Sequence, residues 1–286
     1  MSLLGYGDNL ISLALLAKLR NKSNVKIIGT TLTQVIAPFI PNLEIPIILE
    51  FDNIPAFYDV RRRGITSAIN EAKIFATNLT QYVGKQDTVV FEQNSLKSKL
   101  LSAYLGRRYI APPKGNNVYE DTQRLLQQVF DEQIDLKDAA PLPRLPCRVT
   151  INPTSRWKYK AIANTTLEYI ISYFHNHQCE IHLLDPQKEY LSMRHRVGSY
   201  HSDTSLKEAG ELVKGSELYI GADSLFSHFS YHFGIPFVVV FNRAYLYFSP
   251  PGVGRIGNYI ESASTITEQD FYCRLDKLFS RGTCRM

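Results

Sequence analysis

The sequence predicts an α/β protein made of two doubly wound domains that face a common cleft. Short apolar segments typical of buried strands alternate with helical segments along both halves of the chain. The alternation is interrupted at DAAPLPRLP, where three prolines in nine residues indicate an extended linker. The length of 286 residues suits two domains of about 100–200 residues each. We therefore expect domains at 1–140 and 147–286.

The first half begins the alternation. Its strand candidates are, in chain order, MSLLG, NVKIIGTT, EIPIILEF and DTVVFEQ. Its helix candidates are DNLISLALLAKLR, SLKSKLLSAYLG and YEDTQRLLQQVFDEQ. Because the strands are short apolar runs rich in Ile and Val, they predict a parallel sheet that helices cover on both faces.

The second half restarts the pattern. Its strand candidates are CRVTINP, CEIHLLD, ELYIGAD and PFVVVF. Its helix candidates are NTTLEYIISYFHNH, SLKEAGELVKG, the segment 224–233 and a last helix near TEQDFYCRLDKLF. Asn164 or Thr165 is the expected N-cap of the first of these helices, and Gly215 the expected end of the second. Ligands of such sheets bind at the carboxyl ends of the strands, so we expect the functional cleft there.

The composition of the chain is that of a soluble globular protein and limits the ligands that we expect it to bind. A hydrophobic share of 44% and a charged share of 21% are typical of soluble globular proteins. The net charge of +5 allows an acidic ligand or membrane surface but does not indicate nucleic acid. The four cysteines show no CxxC or zinc spacing, which favours reduced thiols in the cytoplasm. No apolar run approaches the length of about 20 residues that a membrane span needs, and no signal peptide opens the chain.

The segment GADSLFSH carries polar side chains between two predicted buried strands. Asp223 and Ser224 fall where a strand ends and a helix begins. A helix start carries unpaired N–H groups and a partial positive charge, so it favours an anion such as a nucleotide diphosphate. The alternative is that Asp223 or Ser224 only caps the helix. As a zinc pair, His228 and His232 lack a third ligand at a recognisable spacing, so we expect a phosphate-facing His228, a His232 that packs, and no metal.

These residues resemble a known family. The segment GADSLFSHFSYHFGIPFVVVFNRAYLYFSP resembles the signature of the lipopolysaccharide heptosyltransferases, glycosyltransferase family nine. The matching positions are Asp223, Ser224, His228, Gly234, Pro236 and Pro250. GYGDNLISLALLAKL looks like the family's N-terminal motif, and INPTSRWKYKAIANTTLEYI looks like its Ser and Lys segment before a helix. In order and spacing these segments cover most of the chain, and the C-terminal signature is the specific one.

Two of the chain's departures from the family pattern concern the expected donor site. The glycine that follows Asp-Ser in the family is Leu225 here, which changes how closely the backbone approaches a phosphate. The Lys segment is one residue longer than usual, so Lys160 is the first choice for the family lysine and Lys158 the second. These departures leave the identity of the donor open.

The resemblance implies a GT-B fold of two Rossmann-like domains, the first binding an acceptor and the second a sugar nucleotide. It implies metal-independent, inverting transfer of a heptose-like sugar from a nucleotide-diphosphate donor, ADP-linked by the same resemblance, with no further cofactor. The acceptor would be a cell-surface glycan such as the lipopolysaccharide core. The implied catalytic residues are Asp8, as general base, and Lys160. The implied donor-binding residues are Asp223, Ser224, His228, Ser155, Lys158 and Glu189, and the implied acceptor-binding residues are Arg61, Arg62 and Arg63.

Other interpretations remain open. Asp8 also fits an ordinary N-cap, and a run of three arginines also fits a solvated face. The chain can instead be a non-catalytic sugar-nucleotide or glycan-binding relative, or a GT-B epimerase of sugar nucleotides. The retained Asp8 and Lys160 favour the transferase over the non-catalytic relative. An acidic or lipid-linked acceptor would bring this cytoplasmic protein to the inner membrane surface as a peripheral protein, with no nucleic-acid partner.

Overall fold

The chain divides into two compact units, Met1–Leu136 and Lys137–Met286. The computed structural model describes residues 6–51, 64–84, 86–91, 98–99, 102–103, 105–106, 108–113, 115–155, 158–241, 247, 249–251, 253, 258–262 and 266–280. No helix within these ranges is long and apolar enough to cross a membrane.

The helices and strands alternate along most of the chain. The strands are β1 (Ile27–Thr30), β2 (Ile47–Phe51), β3 (Val89–Val90), β4 (Tyr109–Ile110), β5 (Arg148–Asn152), β6 (Glu180–Leu184), β7 (Ser199–His201), β8 (Leu218–Ala222), β9 (Phe237–Phe241) and β10 (Tyr259–Glu261). The α-helices are α1 (Tyr6–Leu16), α2 (Thr31–Ile36), α3 (Ile65–Leu79), α4 (Val118–Phe130), α5 (Asn164–Asn176), α6 (Leu206–Lys214), α7 (Leu225–Phe233) and α8 (Glu268–Ser280). Short 3₁₀ helices span Ala37–Phe39, Lys158–Lys160 and Leu191–Arg196.

In the first unit, β1 pairs with β2 and β3 pairs with β4, each in parallel. Helix α1 buries Leu10, Leu13 and Leu15 completely, which fits its apolar sequence. The buried Asn9 accepts a hydrogen bond of 2.6 Å from the hydroxyl of Thr33. Because Thr33 lies in the first turn of α2, directly after β1, this bond holds the start of α1 near the carboxyl end of β1.

In the second unit, the described strands form one parallel sheet in the order β10-β9-β8-β5-β6-β7. The chain runs outward from β5 to β7, returns to the other side of β5, and runs outward again from β8 to β10. This is the strand order of a Rossmann sheet. The direction in which successive strands are added to the sheet reverses between β5 and β8, although all the strands run parallel. Open α/β sheets bind ligands at the carboxyl ends of the strands beside such a reversal.

The two faces of this sheet are covered differently. Val149, Ile151, Leu218 and Ile220 belong to the hydrophobic core that includes apolar side chains of α5 and α8. Side chains alternate across a strand, so Tyr219 and Gly221 of β8 lie on the opposite face. Tyr219 lies on the face of α7, where its ring is 6.4 Å from that of Phe226. The sheet is thus buried on both sides, as its apolar strands predict.

Most predicted elements of the second half form at or within two residues of the expected positions. The expected side-chain cap of α5 is wrong, because Ala163 occupies the N-cap with extended backbone and no side-chain bond. In the first turn of α5, the Thr166 hydroxyl shares a hydrogen bond of 2.8 Å with the Ser262 hydroxyl. Gly215 ends α6 as predicted. The predicted strand MSLLG lies outside the described residues, and so does half of the predicted helix SLKSKLLSAYLG.

Sequence reasoning missed several elements, namely α2, α3, β4, β7 and β10. The three strands among them have only two or three residues, which is too short for a period-2 pattern to register. Helix α3 leaves apolar side chains exposed, among them Ile69 and Ile74, so its apolar positions do not mark a single buried face.

Candidate functional site

The candidate site lies at the carboxyl ends of β5 and β8, where the strand order of the sheet reverses. Asn152 is paired with Gly221 across these strands, so the loops that follow them begin side by side. Ser155 follows β5, and Asp223 follows β8. The Ser155 hydroxyl lies 3.5 Å from the Asp223 carbonyl oxygen, at the outer limit of a hydrogen bond. The side chain of Asn152 supports the first loop by accepting bonds from the backbone N–H and the hydroxyl of Thr154.

Lys160 reaches into this site. Its ammonium donates to Oδ2 of Asp223 at 2.6 Å, with the lysine 23% and the aspartate 6% exposed. The loop that carries Lys160 is closed by a 2.9 Å bond from the Ile162 N–H to the Pro153 carbonyl. Lys158 lies exposed in the same 3₁₀ turn. The structure therefore brings the first-choice lysine, Lys160, to Asp223.

Ser224 occupies the N-cap of α7 but does not cap it with its side chain. Its backbone is extended and makes no side-chain cap bond. The Ser227 hydroxyl donates instead to the Ser224 carbonyl at 2.7 Å. Within the described residues, Ser224 Oγ is buried without a hydrogen-bond partner. The capping interpretation is therefore wrong for the Ser224 hydroxyl, and the Asp223 carboxylate is engaged by Lys160.

His228 lies one turn into α7 and is only 5% exposed. Burial is the main cause that lowers the pKa of His228 to about 4, while the Asp223 carboxylate opposes this shift and the Lys160 ammonium adds to it. The imidazole is therefore neutral near pH 7, with one ring N–H to donate. His232 lies one turn later and is partly buried.

Glu189 lies exposed at another strand end of the same sheet, after β6. The turn that carries it is organised by Asp185, which is completely buried. Asp185 accepts hydrogen bonds from the backbone N–H groups of Glu189 and Tyr190, at 3.1 and 2.7 Å, and from the Tyr200 hydroxyl at 2.6 Å. Sequence reasoning treated this aspartate only as the end of a strand, although a carboxylate after an apolar strand is a usable signal.

Sequence reasoning also missed Tyr219. This tyrosine lies completely buried in β8, and its hydroxyl has no hydrogen-bond partner in the described part of the chain. In the sequence it was read only as an apolar strand residue. Its ring lies over Gly221, two residues closer to Asp223 and Ser224.

The remaining predicted residues belong to the first unit. Asp8 lies in α1, beside the buried Asn9, but its side chain lies outside the described residues. Arg61, Arg62 and Arg63 also lie outside the described residues. In the part of the chain that the structure describes, no three His, Cys, Asp or Glu side chains form a group that could hold a metal ion.

Comparison with known proteins gives matches among solved structures only. No protein-family model matches the chain, and no curated protein sequence does. The structure of E. coli heptosyltransferase WaaC with ADP matches with a TM-score of 0.66 and 12% identity, over 96% of this chain and 97% of that chain. A glycosyl transferase family 9 structure from Veillonella parvula matches with a TM-score of 0.64 and 13% identity, over 97% and 95% of the two chains. E. coli ADP-heptose lps heptosyltransferase II matches with a TM-score of 0.61 and 12% identity, over 98% and 97%.

These similarities extend over nearly the whole chain at low sequence identity. They confirm the predicted α/β fold class, and the chain has the GT-B fold of these glycosyltransferases.

Proposed function

We propose that the protein is a glycosyltransferase that uses a nucleoside diphosphate sugar as donor. The observation that carries the proposal is the cluster at the start of α7. There Lys160 binds Asp223 at 2.6 Å, beside a Ser224 hydroxyl that caps nothing. A helix start, a cation and a free hydroxyl are the groups that a diphosphate needs. The shared fold supports this proposal, because the similar structures are glycosyltransferases.

The donor we propose is an ADP-linked, heptose-like sugar. Similar structures contain ADP and ADP-2-deoxy-2-fluoro heptose. The diphosphate would meet the N–H groups at the start of α7, the Ser224 hydroxyl, the Lys160 ammonium and the neutral His228. Ser155 and Lys158 would line the same loop, and Glu189 would lie near the ribose.

The reaction we propose is inverting transfer. An acceptor hydroxyl oxygen attacks the anomeric carbon, and the bond from that carbon to the diphosphate oxygen breaks. Asp8 takes the proton of the acceptor hydroxyl, and the nucleoside diphosphate leaves with the bonding electron pair. The leaving oxygen gains negative charge as the bond breaks, so the Lys160 ammonium and the start of α7 stabilise the transition state more than the ground state.

The acceptor we propose is an acidic glycan such as the lipopolysaccharide core, free or lipid-linked. One similar structure is that of an lps heptosyltransferase. Arg61, Arg62 and Arg63 supply cations whose planar forks match carboxylate and phosphate groups. An acceptor held in this way would bind more weakly as salt rises. Association with the membrane would be peripheral.

Donor binding and transfer test this proposal together. ADP-, GDP-, UDP- and CMP-sugars are screened by thermal shift, because a ligand that binds only the native state stabilises it, by about 2.7 kcal/mol at a hundredfold excess over Kd. We expect the ADP-sugar to raise the melting temperature most. Transfer of the sugar to a lipopolysaccharide-core acceptor is then measured for the wild type and two lysine variants.

The variant Lys160→Met keeps the apolar stem of the side chain but removes the ammonium. We expect transfer to fall by roughly 10²–10³-fold, the usual effect of removing one group that stabilises developing charge. Lys158→Met is the comparison. If Lys158→Met loses transfer and Lys160→Met does not, the lysine assignment is wrong. Donor hydrolysis or epimerisation without any transfer would contradict the transferase proposal.

A further inference from the structure

We propose that Tyr219 is a positioning residue of the donor site, whose buried hydroxyl orients the Ser224 hydroxyl toward the diphosphate. This inference rests on the proposed function, since it concerns the same anion site. Tyr219 itself would not touch the substrate. It would act through Ser224.

The backbone of β8 sets where this hydroxyl lies. Tyr219 and Gly221 share one face of the strand, and the tyrosine ring lies over the glycine. A Cβ atom on residue 221 would lie 2.6 Å from Tyr219 Cζ and 2.9 Å from the Asn152 carbonyl oxygen. Real Cβ atoms do not approach that closely, so only glycine leaves room for the ring in this position. The ring therefore extends toward the carboxyl end of β8, where Asp223 and Ser224 follow.

The hydroxyls of Tyr219 and Ser224 are both buried, and neither has a hydrogen-bond partner among the described residues. The Tyr219 ring lies over Gly221, three residues before Ser224, and the Ser224 side chain lowers the pKa of Tyr219, against a larger rise that burial causes. Buried polar groups without a partner cost free energy, and in native proteins they are few.

A diphosphate at the start of α7 would give both hydroxyls hydrogen-bond partners, through a chain that runs from Tyr219 to Ser224 to the phosphate. Each hydroxyl donates one hydrogen and accepts others, whereas a phosphate oxygen only accepts. The Tyr219 O–H would donate to Ser224 Oγ, which directs the Ser224 O–H to the phosphate oxygen. Burial strengthens such a chain of donors, because the surroundings have a low dielectric constant.

Removing the hydroxyl of a tyrosine with a purely structural role should lower the stability of the protein, whereas removing the Tyr219 hydroxyl should not. Tyr173 supplies that comparison in the same unit. It is almost completely buried, and its hydroxyl donates to Asp276 at 2.8 Å, between α5 and α8. Tyr173→Phe should lower the melting temperature without affecting the donor site. Tyr219→Phe removes a buried hydroxyl that has no hydrogen-bond partner among the described residues, so its melting temperature should stay equal to the wild type or rise.

The experiment measures ADP affinity by calorimetry, and melting temperature with and without ADP, for the wild type, Tyr219→Phe, Ser224→Ala, the double variant and Tyr173→Phe. We expect Tyr219→Phe to weaken ADP binding by about fivefold to tenfold, as the loss of one hydrogen bond does. We expect Ser224→Ala to weaken it at least as much. The double variant should bind like Ser224→Ala, because Tyr219 acts only through Ser224.

The outcomes separate this inference from the proposed function. If the wild type binds no ADP and no other nucleotide of the screen, the proposed function fails and this inference fails with it. If the wild type binds ADP and Tyr219→Phe binds it equally well, the donor site stands and the role of Tyr219 is wrong. Losses that simply add in the double variant would also overturn it, because they would mean that the two hydroxyls act independently.

Discussion

At the scale of single residues, the site depends on pairs that are distant in sequence. Lys160 and Asp223 are 63 positions apart and meet at 2.6 Å. The aspartate is almost completely buried, so its charge needs the lysine ammonium beside it. His228 lies beside this pair, and burial keeps it neutral.

The depressed pKa of His228 predicts a specific dependence of stability on pH. The pKa is about 4 in the folded protein and about 6.5 in an unfolded chain. Between these values the unfolded state binds the proton more readily. The stability that the neutral His228 contributes is therefore fully present above about pH 6.5 and is lost as pH falls toward 4. Between pH 7.5 and 5 the loss should be about 2 kcal/mol.

Urea unfolding at several pH values checks this prediction with the variant His228→Gln, which cannot take up the proton. We expect the variant to lose less unfolding free energy than the wild type between pH 7.5 and 5. His201→Gln is a comparison outside the candidate site, since partial burial and, second, His182 also lower the pKa of His201, so this variant too should lose less unfolding free energy than the wild type over the same range. Equal slopes for the wild type and His228→Gln would show that His228 does not hold this pKa.

At the scale of elements, the unit formed by β8 and α7 carries the site. Every residue of β8 is buried, and β5 and β9 pair with it on either side. Helix α7 ends at Gly234, whose φ of +68° lies in the left-handed region that favours glycine. Leu225 begins α7, where the family glycine would stand, and it is not among the residues with positive φ. The helix start therefore forms with a leucine at this position.

Gly221→Ala tests how tightly β8 fits its neighbours. The added Cβ would lie 2.9 Å from the Asn152 carbonyl oxygen and 2.6 Å from the Tyr219 ring, so strand or ring must shift. We expect a loss of about 1–3 kcal/mol in unfolding free energy, as for other overpacked interiors. We also expect weaker ADP binding, because the shift moves Tyr219 and the start of α7.

Gly215→Ala is the matched control for this substitution. Its Cβ would meet neighbouring atoms at 3.5–3.8 Å, which is ordinary contact, and its φ of −77° suits alanine. We expect a change within about 1 kcal/mol, in the stabilising direction, because alanine has less freedom in the unfolded chain. Chemical denaturation of both variants gives the comparison. Equal stability of the two would contradict the close fit at Gly221.

At the scale of the whole molecule, the proposed catalytic residues are divided between the two units. Asp8 belongs to Met1–Leu136, and Lys160 belongs to Lys137–Met286. The described candidate donor residues all belong to the second unit. Donor binding should therefore be separable from transfer by a change in the first unit.

Asp8→Asn tests this division of roles. Asparagine keeps the size of the side chain but cannot take the proton, so transfer should fall by roughly 10²–10⁴-fold. ADP affinity should stay unchanged. The melting temperature should also stay close to that of the wild type, because Asp8 lies in the first turn of α1, where the loss of one charge costs typically about 0.3–1 kcal/mol. Transfer rate, ADP affinity and melting temperature are measured on the same preparation. A variant that keeps normal transfer would assign the base to another residue.

The sequence determined the α/β class and the position of most strands and helices in the second half. These features depend on local apolar periodicity, which a linear sequence carries directly. It also singled out Ser155, Lys160, Asp223, Ser224 and His228, which the fold brings to one end of the sheet. The domain limits 1–140 and 147–286 and the roles of Asp8 and Arg61–Arg63 stay predictions.

Only the tertiary structure decided three points: that Lys160 meets Asp223, that the Ser224 hydroxyl caps nothing, and that Tyr219 lies beside it. No local pattern carries this information. Lys160 and Asp223 are neighbours because β5 and β8 pair with Asn152 beside Gly221, although the two strands are far apart in the chain. Tyr219 reaches the site only because residue 221 has no side chain to occupy that space. Such contacts arise from strand register and close packing, which exist only after distant segments have come together.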